Sequence, residues 1–280
     1  MAPSNRYAIQ FSQFLKLIKQ RHAVQARSVL IQLVKEWLGT SDRNIYDPDL
    51  SATFWLFNPD RQYFSITRAR CFPSKKARRE NNHWESDVKD ALQNPALKLG
   101  APPPDITRDG RCNYRKSPVF YGSYQDYTCM SELNPPVGST IVIAKFEIMR
   151  QLKILRLCSH LESMEMVPVN QSRKDDIRNI SKESTEYENK SFQFHLDLWM
   201  GMPLLVTYDH PQYLARRMLV SVLRKILLCD GIEFTSSQVN GSNLVIFPDD
   251  TSCQRFPLRY VDDSAEQLWV TDRPVYAETV

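Results

Sequence analysis

Three residue types that suit a nucleotide ligand lie within one short stretch, residues 110–132. Arg111 stands in a Gly-Arg-Cys-Asn turn, Tyr121 ends an apolar run that predicts a strand, and Glu132 lies where the pattern predicts the first turn of a helix. A guanidinium can hold phosphate oxygens, a phenol ring can stack on a base, and a carboxylate can accept a hydrogen bond from a sugar hydroxyl. The stretch therefore predicts a site for a ligand with a negative charge, a flat ring and a sugar.

Two further cations lie on a predicted strand over residues 63–72. Alternation along a strand puts Arg68 and Arg70 on the same face as Phe64 and Ile66. An arginine that shares a face with apolar residues is either paired with an acid in the core or directed into a cleft. Both interpretations stay open for Arg68 at the level of sequence.

The elements that must position these residues have a mixed order. Helical spacing predicts two helices, or one broken helix, within residues 7–38, with the break near 21–25, and further helices over 192–202 and 211–228. A cap at Ser86 predicts a short helix over 87–93. Strand patterns cover residues 63–72, 118–121, 140–146, 152–158, 232–237, 243–247 and part of 268–276. Residues 40–60 and 170–190 are predicted as loops. Because strands and helices do not alternate regularly, the pattern favours an α+β fold over a doubly wound sheet.

The N-terminal helices carry an apolar stripe that includes Phe11, Phe14 and Ile18. Such a stripe generally faces a core, so we expect it to pack on the rest of the chain, with binding of a partner as the alternative. This predicts an N-terminal helical extension over residues 1–60 and a main domain over residues 61–280.

Composition excludes several classes of function. The 280 residues include 42% hydrophobic and 24% charged side chains, which is typical of globular proteins, and the formal net charge of +4 does not favour nucleic acid as a ligand. The six cysteines form no C-x-x-C pair and the five histidines lack metal-binding spacing, so no metal site is expected. An N-terminus without an apolar signal core, and no apolar run of about 18 residues, predict a cytoplasmic protein without a membrane span.

Taken in order, the motifs resemble the RES domain family, whose members include toxins of bacterial toxin–antitoxin pairs. The matching residues are Arg68-Ala69-Arg70, Arg111-Cys112-Asn113, Pro118 to Tyr121, Ser131-Glu132-Leu133, Tyr208 with Gln212, Asp230-Gly231-Ile232, Ser236, and Asn243 to Phe247. The chain departs from the family pattern at Thr235, where a proline is frequent, at Cys112 in place of Trp or Met, and at Ser117 in place of Gly. Because Ser237 is adjacent, either it or Ser236 could be the functional serine.

The resemblance implies an ADP-ribosyltransferase-like mixed β core with flanking helices. It also implies an enzyme that cleaves the nicotinamide–ribose bond of NAD+, as a glycohydrolase if water is the acceptor or as a phosphorylase if inorganic phosphate is the co-substrate. NAD+ would be a substrate, and no cofactor is implied. Carried over residue by residue, the catalytic set is Arg111, Tyr121, Glu132 and Ser236. The substrate-binding set is Arg68, Arg70, Asn113 and Ser237.

Other interpretations stay open. The chain could transfer ADP-ribose to a macromolecule, or bind NAD+ or ADP-ribose as an interaction module without turnover. Glu132 could be an exposed acid at a helix start, Tyr121 a core residue, and Arg68 half of a structural salt bridge. As a toxin or defence effector the chain would have a protein inhibitor as partner, and the sequence is compatible with a homo-oligomer.

Overall fold

The computed structural model describes residues 6–38, 54–57, 65–72, 84–157, 185–202, 210–249 and 255–271. The helices are α1 (Arg6–Lys19), α2 (Ala23–Trp37), α3 (Trp84–Gln93), α4 (Pro95–Lys98), α5 (Asp126–Glu132), α6 (Thr185–Gly201) and α7 (Pro211–Leu227). The strands are β1 (Phe54–Phe57), β2 (Ser65–Phe72), β3 (Phe120–Gly122), β4 (Thr140–Ile148), β5 (Leu152–Arg156), β6 (Gly231–Thr235), β7 (Ser242–Ile246), β8 (Leu258–Tyr260) and β9 (Glu266–Trp269). This combination confirms the predicted α+β class.

The chain divides into two compact units, each assembled from separate stretches of sequence. The first unit comprises Met1–Leu56, Arg108–Arg115 and Leu152–Thr235, and the second comprises Phe57–Thr107, Lys116–Gln151 and Ser236–Val280. The predicted boundary at residue 60, between a helical extension and a main domain, stays a prediction.

In the first unit, α1 and α2 pack with α6 and α7. Helix α1 buries Tyr7, Phe11, Phe14 and Ile18, which recur at intervals of three and four residues and so form one face. The ring of Phe11 lies edge-on to that of Trp199 on α6, with centroids 5.0 Å apart. Core packing of the N-terminal stripe is therefore confirmed. In the same unit β5 and β6 run parallel, with Ile154 opposite Gly231.

The second unit contains an antiparallel sheet in which β4 is the central strand. Strand β2 pairs with β4 along its full length, from Ser65 opposite Glu147 to Phe72 opposite Thr140, and β8 and β9 also pair with β4. One face is covered by α5, where Ala69, Cys129, Ile141 and Ile143 form a buried cluster. Strands β3 and β7 form a separate antiparallel pair in this unit.

Gly122 lets β3 approach β2. A Cβ atom at this position would lie 2.5 Å from Ile66 Cγ2 and 2.8 Å from the backbone oxygen of Thr67, closer than real Cβ contacts come. The approach is sealed by a β-bridge in which the backbones of Thr67 and Ser123 exchange hydrogen bonds of 2.8 and 3.0 Å. The residue before this glycine is Tyr121, so its position is set by the same contact.

Several predicted boundaries are wrong for identifiable reasons. Ser86 lies inside α3, which begins at Trp84, and is therefore not its cap. Helix α6 begins at Thr185 rather than near 192, because glutamate and lysine continue a helix readily and Glu188 pairs with Arg6 of α1 at 3.3 Å. Strand β1 lies in the predicted loop 40–60, where the aromatic run Phe54–Phe57 has strong strand propensity.

Strand β8 has no counterpart among the predicted strands, and its three residues are too few for a pattern to show. Among the predicted features, Phe64, residues 170–184 of the polar stretch and Tyr208 lie outside the described residues.

Candidate active site

The carboxylate of Glu132 is held by two donors from the segment after β6. Its Oε1 accepts a hydrogen bond from Ser236 Oγ at 2.5 Å and another from Asn243 Nδ2 at 2.9 Å. Ser236 is 5% exposed, whereas Glu132 is partly buried. Among the described residues, none donates to the second oxygen, Oε2, and none forms an ion pair with this carboxylate. The acid is thus oriented through one oxygen, and the other accepts from no described residue.

Glu132 is the last residue of α5, not part of its first turn as the sequence predicts. The helix starts at Asp126, two residues earlier than predicted, so the acid is displaced to the other end. A negative charge is disfavoured at a helix C-terminus, because the last carbonyl groups carry partial negative charge. Helix stability therefore does not account for an acid here, and the interpretation of Glu132 as an exposed helix-start acid is wrong.

The loop between β6 and β7 presents Ser236 to this acid. The backbone N–H of Ser236 donates to the carbonyl of Gly241 at 2.9 Å, and its Oγ also accepts from the N–H of Gln238 at 3.1 Å. The neighbouring Ser237 is exposed, and its Oγ accepts a long bond from Gln238 Nε2 at 3.4 Å. Of the two serines, Ser236 is the one that contacts Glu132.

Gly241 allows this loop to lie directly on α5. A Cβ atom at Gly241 would be 2.1 Å from Thr128 Oγ1 and 2.8 Å from Gln125 Oε1. Thr128 is itself fully buried and donates to Gln125 Oε1 at 3.0 Å, so the Thr128 side chain has little room to move aside. The close approach brings the loop that carries Ser236 to the helix that carries Glu132.

Tyr121 and Asn243 lie on the same face of the β3–β7 pair. Tyr121 is directly opposite Val245, and Asn243 is two residues before Val245, so the alternation of side chains gives all three the same face. Diagonal neighbours of this kind are about 7–8 Å apart, within reach of an aromatic side chain. Since Asn243 contacts Glu132, the phenol lies on the side of the strand pair that holds the acid. Tyr121 is partly buried rather than a fully enclosed core residue.

Arg68 carries a charge that no described acid neutralises. Its guanidinium lies 5.1 Å from the centroid of the Phe120 ring, and its Nη1 is inaccessible to solvent and has no hydrogen-bond partner. Burial lowers the pKa of Arg68 to about 10, with the charge of Arg70 acting in the same direction and Cys129 and Tyr121 opposing it. Among the described residues no acid forms a salt bridge with Arg68, and the orphaned donor suits an anion.

Cys129 links the arginine to the acid. Burial raises the pKa of the Cys129 thiol to about 12; the Arg68 charge lowers it, while Asp126 and Glu132 raise it. The charges of Arg68 and Glu132 therefore both act on the Cys129 thiol. Arg68, Tyr121, Glu132 and Ser236 all belong to the second unit, where Ser236 contacts Glu132 and Arg68 lies over the ring of Phe120, the neighbour of Tyr121.

The remaining predicted site residues have structural contacts. Arg70 is exposed, donates to the carbonyl of Lys98 at 3.2 Å and stacks on Phe72. Asn113 is buried and its Nδ2 donates to the carbonyls of Arg108 and Tyr114 at 2.9 and 3.1 Å. These bonds hold the turn that carries Arg111. Roles of Arg70, Asn113 and Ser237 in substrate binding stay predictions.

Arg111 belongs to the first unit, where its partly buried guanidinium donates from Nη1 to the carbonyl of Met200 at 3.3 Å. Its turn is closed by a bond of 3.0 Å from the Gly110 N–H to the Asn113 carbonyl. The predicted Gly-Arg-Cys-Asn turn is therefore confirmed as a local structure, and the catalytic role of Arg111 stays a prediction.

The family motif includes Asn243 but gives it no role in the site, and no sequence pattern singles out Gly241. Asn243 is the second residue of β7 and precedes the apolar run Leu244-Val245-Ile246, so an amide at this position is a usable signal for a polar contact. Gly241 carries no comparable signal, since its close approach to α5 depends on the tertiary arrangement.

Among the described residues, no group of three or more His, Cys, Asp and Glu side chains has the arrangement of a metal site. No described helix combines the length and the apolar character needed to cross a bilayer.

Comparisons with known proteins are sparse. No protein-family model and no curated protein matches the chain. A solved structure, the MbcT-MbcA toxin-antitoxin complex of M. tuberculosis, overlaps 81% of this chain and 94% of its own matched chain, with 12% sequence identity and a TM-score of 0.33. A TM-score of this size does not establish a shared fold.

Proposed function

We propose that this chain cleaves the nicotinamide–ribose bond of NAD+. The observation that supports the proposal most directly is the carboxylate of Glu132, oriented through Oε1 by Ser236 and Asn243 while Oε2 accepts from no described residue. An aromatic ring, Tyr121, lies on the same side of the strand pair, and Arg68, which has no ion pair among the described residues, lies over the neighbouring ring of Phe120 at 5.1 Å. An acid, a ring and a cation are the groups that a nucleotide substrate requires.

In the proposed reaction, Glu132 stabilises the positive charge that develops on the ribose as the bond to nicotinamide breaks. Such a transition state resembles an oxocarbenium ion, as in glycoside hydrolysis, and a fixed carboxylate stabilises it electrostatically. Its free oxygen would accept a hydrogen bond from a ribose hydroxyl. The pyridinium nitrogen takes the electron pair of the broken bond and leaves neutral, so the reaction needs no strong general acid.

The other side chains bind and orient the substrate in this proposal. Tyr121 stacks on the nicotinamide ring, Ser236 fixes Glu132, and Arg68 binds an oxygen of the diphosphate with its unpaired N–H. Arg111, in the first unit, enters on the sequence resemblance alone, as does an ADP-ribosyltransferase-like arrangement of the core. The same resemblance suggests a toxin or defence effector held inactive by a protein inhibitor.

The direct test is to incubate the purified protein with NAD+ and measure nicotinamide release by chromatography, with and without inorganic phosphate. Glu132→Gln is expected to lower kcat by about a hundredfold or more, because it removes the charge that stabilises the transition state. Glu266→Gln, at an exposed position on β9, is the matched control and is expected to leave kcat unchanged.

Product masses identify the acceptor. ADP-ribose indicates water, ADP-ribose-1″-phosphate indicates inorganic phosphate, and a protein or nucleic acid carrying label from NAD+ indicates transfer to a macromolecule. If wild-type protein binds ADP-ribose but releases no nicotinamide under any of these conditions, the chain is a binding module and the proposal is wrong.

A further inference from the structure

Two arginines of the first unit meet at the last turn of α6. Arg111 Nη1 donates to the carbonyl of Met200 at 3.3 Å, and Arg216 Nη2 donates to the carbonyl of Trp199 at 2.6 Å. These carbonyls belong to consecutive residues, so both guanidinium groups lie at the C-terminal end of α6. Arg216 projects from α7 and Arg111 from the turn that precedes β3.

Arg216 is a fully buried cation with unused donors. Its exposure is 0%, it lies 5.2 Å from the centroid of the Trp199 ring, and neither its Nε nor its Nη1 has a hydrogen-bond partner. Burial, together with the positive charge of Arg111, lowers the pKa of Arg216 to about 10. Among the described carboxylates, none forms an ion pair with either arginine. Within the described part of the chain, these two positive charges therefore have no counter-ion.

Capping of α6 explains only part of this arrangement. Cations at a helix C-terminus are favourable because they donate to the last carbonyl groups. One N–H from each arginine serves that purpose, yet two further nitrogens of Arg216 remain buried and unpaired. The next residue shows the contrast, since Arg217 is also buried, at 6% exposure, but its Nη1 pairs with Asp109 Oδ1 at 2.6 Å. Of two consecutive arginines on α7, one is neutralised and the other is not.

We propose that Arg111 and Arg216 form a binding site for a phosphate-type anion, with the partly exposed Arg111 as the direct contact and Arg216 as the buried charge behind it. Guanidinium groups match the geometry of phosphate oxygens, and two uncompensated positive charges suit a ligand with two or more negative charges. A diphosphate group meets this requirement. This anion site does not depend on the proposed function, in which Arg68 of the second unit binds the diphosphate of NAD+.

The test is calorimetric titration of the full chain with inorganic pyrophosphate. Wild-type protein is expected to bind it, and Arg216→Met is expected to weaken binding by about tenfold or more through loss of a charge-assisted interaction. The Tm of Arg216→Met is expected to equal or exceed that of the wild-type protein, because the substitution removes a buried charge. Lys225→Gln removes one charge from an exposed position of the same helix and is expected to leave the affinity within about twofold.

A measurement on the wild-type protein covers the case in which the variant fails to fold. Pyrophosphate is expected to slow phenylglyoxal labelling of Arg111, read by peptide mass, but not labelling of the exposed Arg21; sodium chloride at equal ionic strength is expected to protect neither. Absence of pyrophosphate binding, equal affinity in Arg216→Met, or equal labelling of Arg111 with and without pyrophosphate would overturn the proposal. The titration contains no NAD+, so its result is independent of the proposed function. If pyrophosphate binds here but the separate NAD+ assay shows no nicotinamide release, the proposed function is refuted and the anion site stands.

Discussion

The orientation of Glu132 depends on two donors that reach a single oxygen. Ser236 approaches from the loop after β6 and Asn243 from the second residue of β7. A hydrogen bond to a charged group contributes about 1.5–3 kcal/mol, so each donor is a large part of what holds the acid in place. Asn243 belongs to the matched motif, but its role in positioning Glu132 is seen only in the structure.

Replacing Asn243 distinguishes a role in positioning Glu132 from a role in binding the substrate. Asn243→Ala is expected to lower kcat by about tenfold to a hundredfold with little change in KM, because the acid loses one of its two donors. Asn243→Asp places a second carboxylate beside Glu132, and repulsion between like charges raises the pKa of the pair. The acid limb of its kcat/KM profile is therefore expected to move to higher pH. Asn94→Ala, at an exposed amide that bonds Asp90, is the control. An unchanged pH profile in Asn243→Asp would contradict the assigned contact.

The buried charge of Arg68 is expected to lower the free energy of unfolding, while its guanidinium contributes to ligand binding. A pKa of about 10 corresponds to about 3 kcal/mol of unfavourable charge burial as an upper value. Arg68→Met is therefore expected to raise the Tm or leave it unchanged, while the KM for NAD+ rises by about tenfold or more because a phosphate contact is lost. Thermal unfolding and steady-state kinetics give both values.

The matched variant is Arg70→Met on the same strand. Its guanidinium is exposed and bonded to a backbone carbonyl, so both Tm and KM are expected to change little. If Arg68→Met lowers the Tm and leaves the KM as it is, Arg68 is a structural cation and has no part in binding.

At the scale of elements, long periodic segments are the ones that sequence predicts well. Helix α7, with its buried face from Tyr213 to Leu227, and the β-branched strand β4 lie where their patterns place them. The end of α5 is a different case, because a seven-residue helix has too few turns for periodicity to fix its start. Its register, and therefore the position of Glu132, is fixed by packing of Cys129 against Ala69.

Replacing Gly241 tests whether the close approach between the β6–β7 loop and α5 is needed for stability and activity. Gly241→Ala is expected to destabilise the fold by about 1–3 kcal/mol, because the new methyl group overlaps Thr128. It is also expected to lower kcat, since the loop with Ser236 must move away from α5. Nicotinamide release and Tm are the measurements.

A second substitution provides the control for this prediction. Thr128→Ala removes the atom that the new methyl group would overlap, so the double variant is expected to recover part of the lost kcat and Tm. Equal activity in Gly241→Ala and wild type would show that the close approach is not needed for the site.

At the scale of the whole molecule, the limit of sequence reasoning is the pairing of distant segments. Arg108–Arg115 joins the same unit as α1, α2 and Leu152–Thr235, although it is separated from them along the chain. Local patterns predict that Arg111 lies in a turn and Tyr121 on a strand. They do not predict that Arg111 and Arg216 both bond the end of α6, or that Glu132 contacts Asn243, because contacts between residues far apart in sequence depend on the whole packing arrangement.

Ligand linkage tests the site through the folding equilibrium of the entire chain. A ligand that binds only the folded state stabilises it by RT ln(1 + [L]/Kd), about 2.7 kcal/mol at a hundredfold excess over Kd. For a chain of this size that corresponds to a rise in Tm of about 5 °C or more. ADP-ribose is expected to produce this rise in wild type and in Glu132→Gln, because the acid acts mainly in the transition state. It is expected to produce a smaller rise in Arg68→Met. A Glu132→Gln variant with no rise would make the acid a binding residue, whereas equal rises in all three proteins would remove Arg68 from the site.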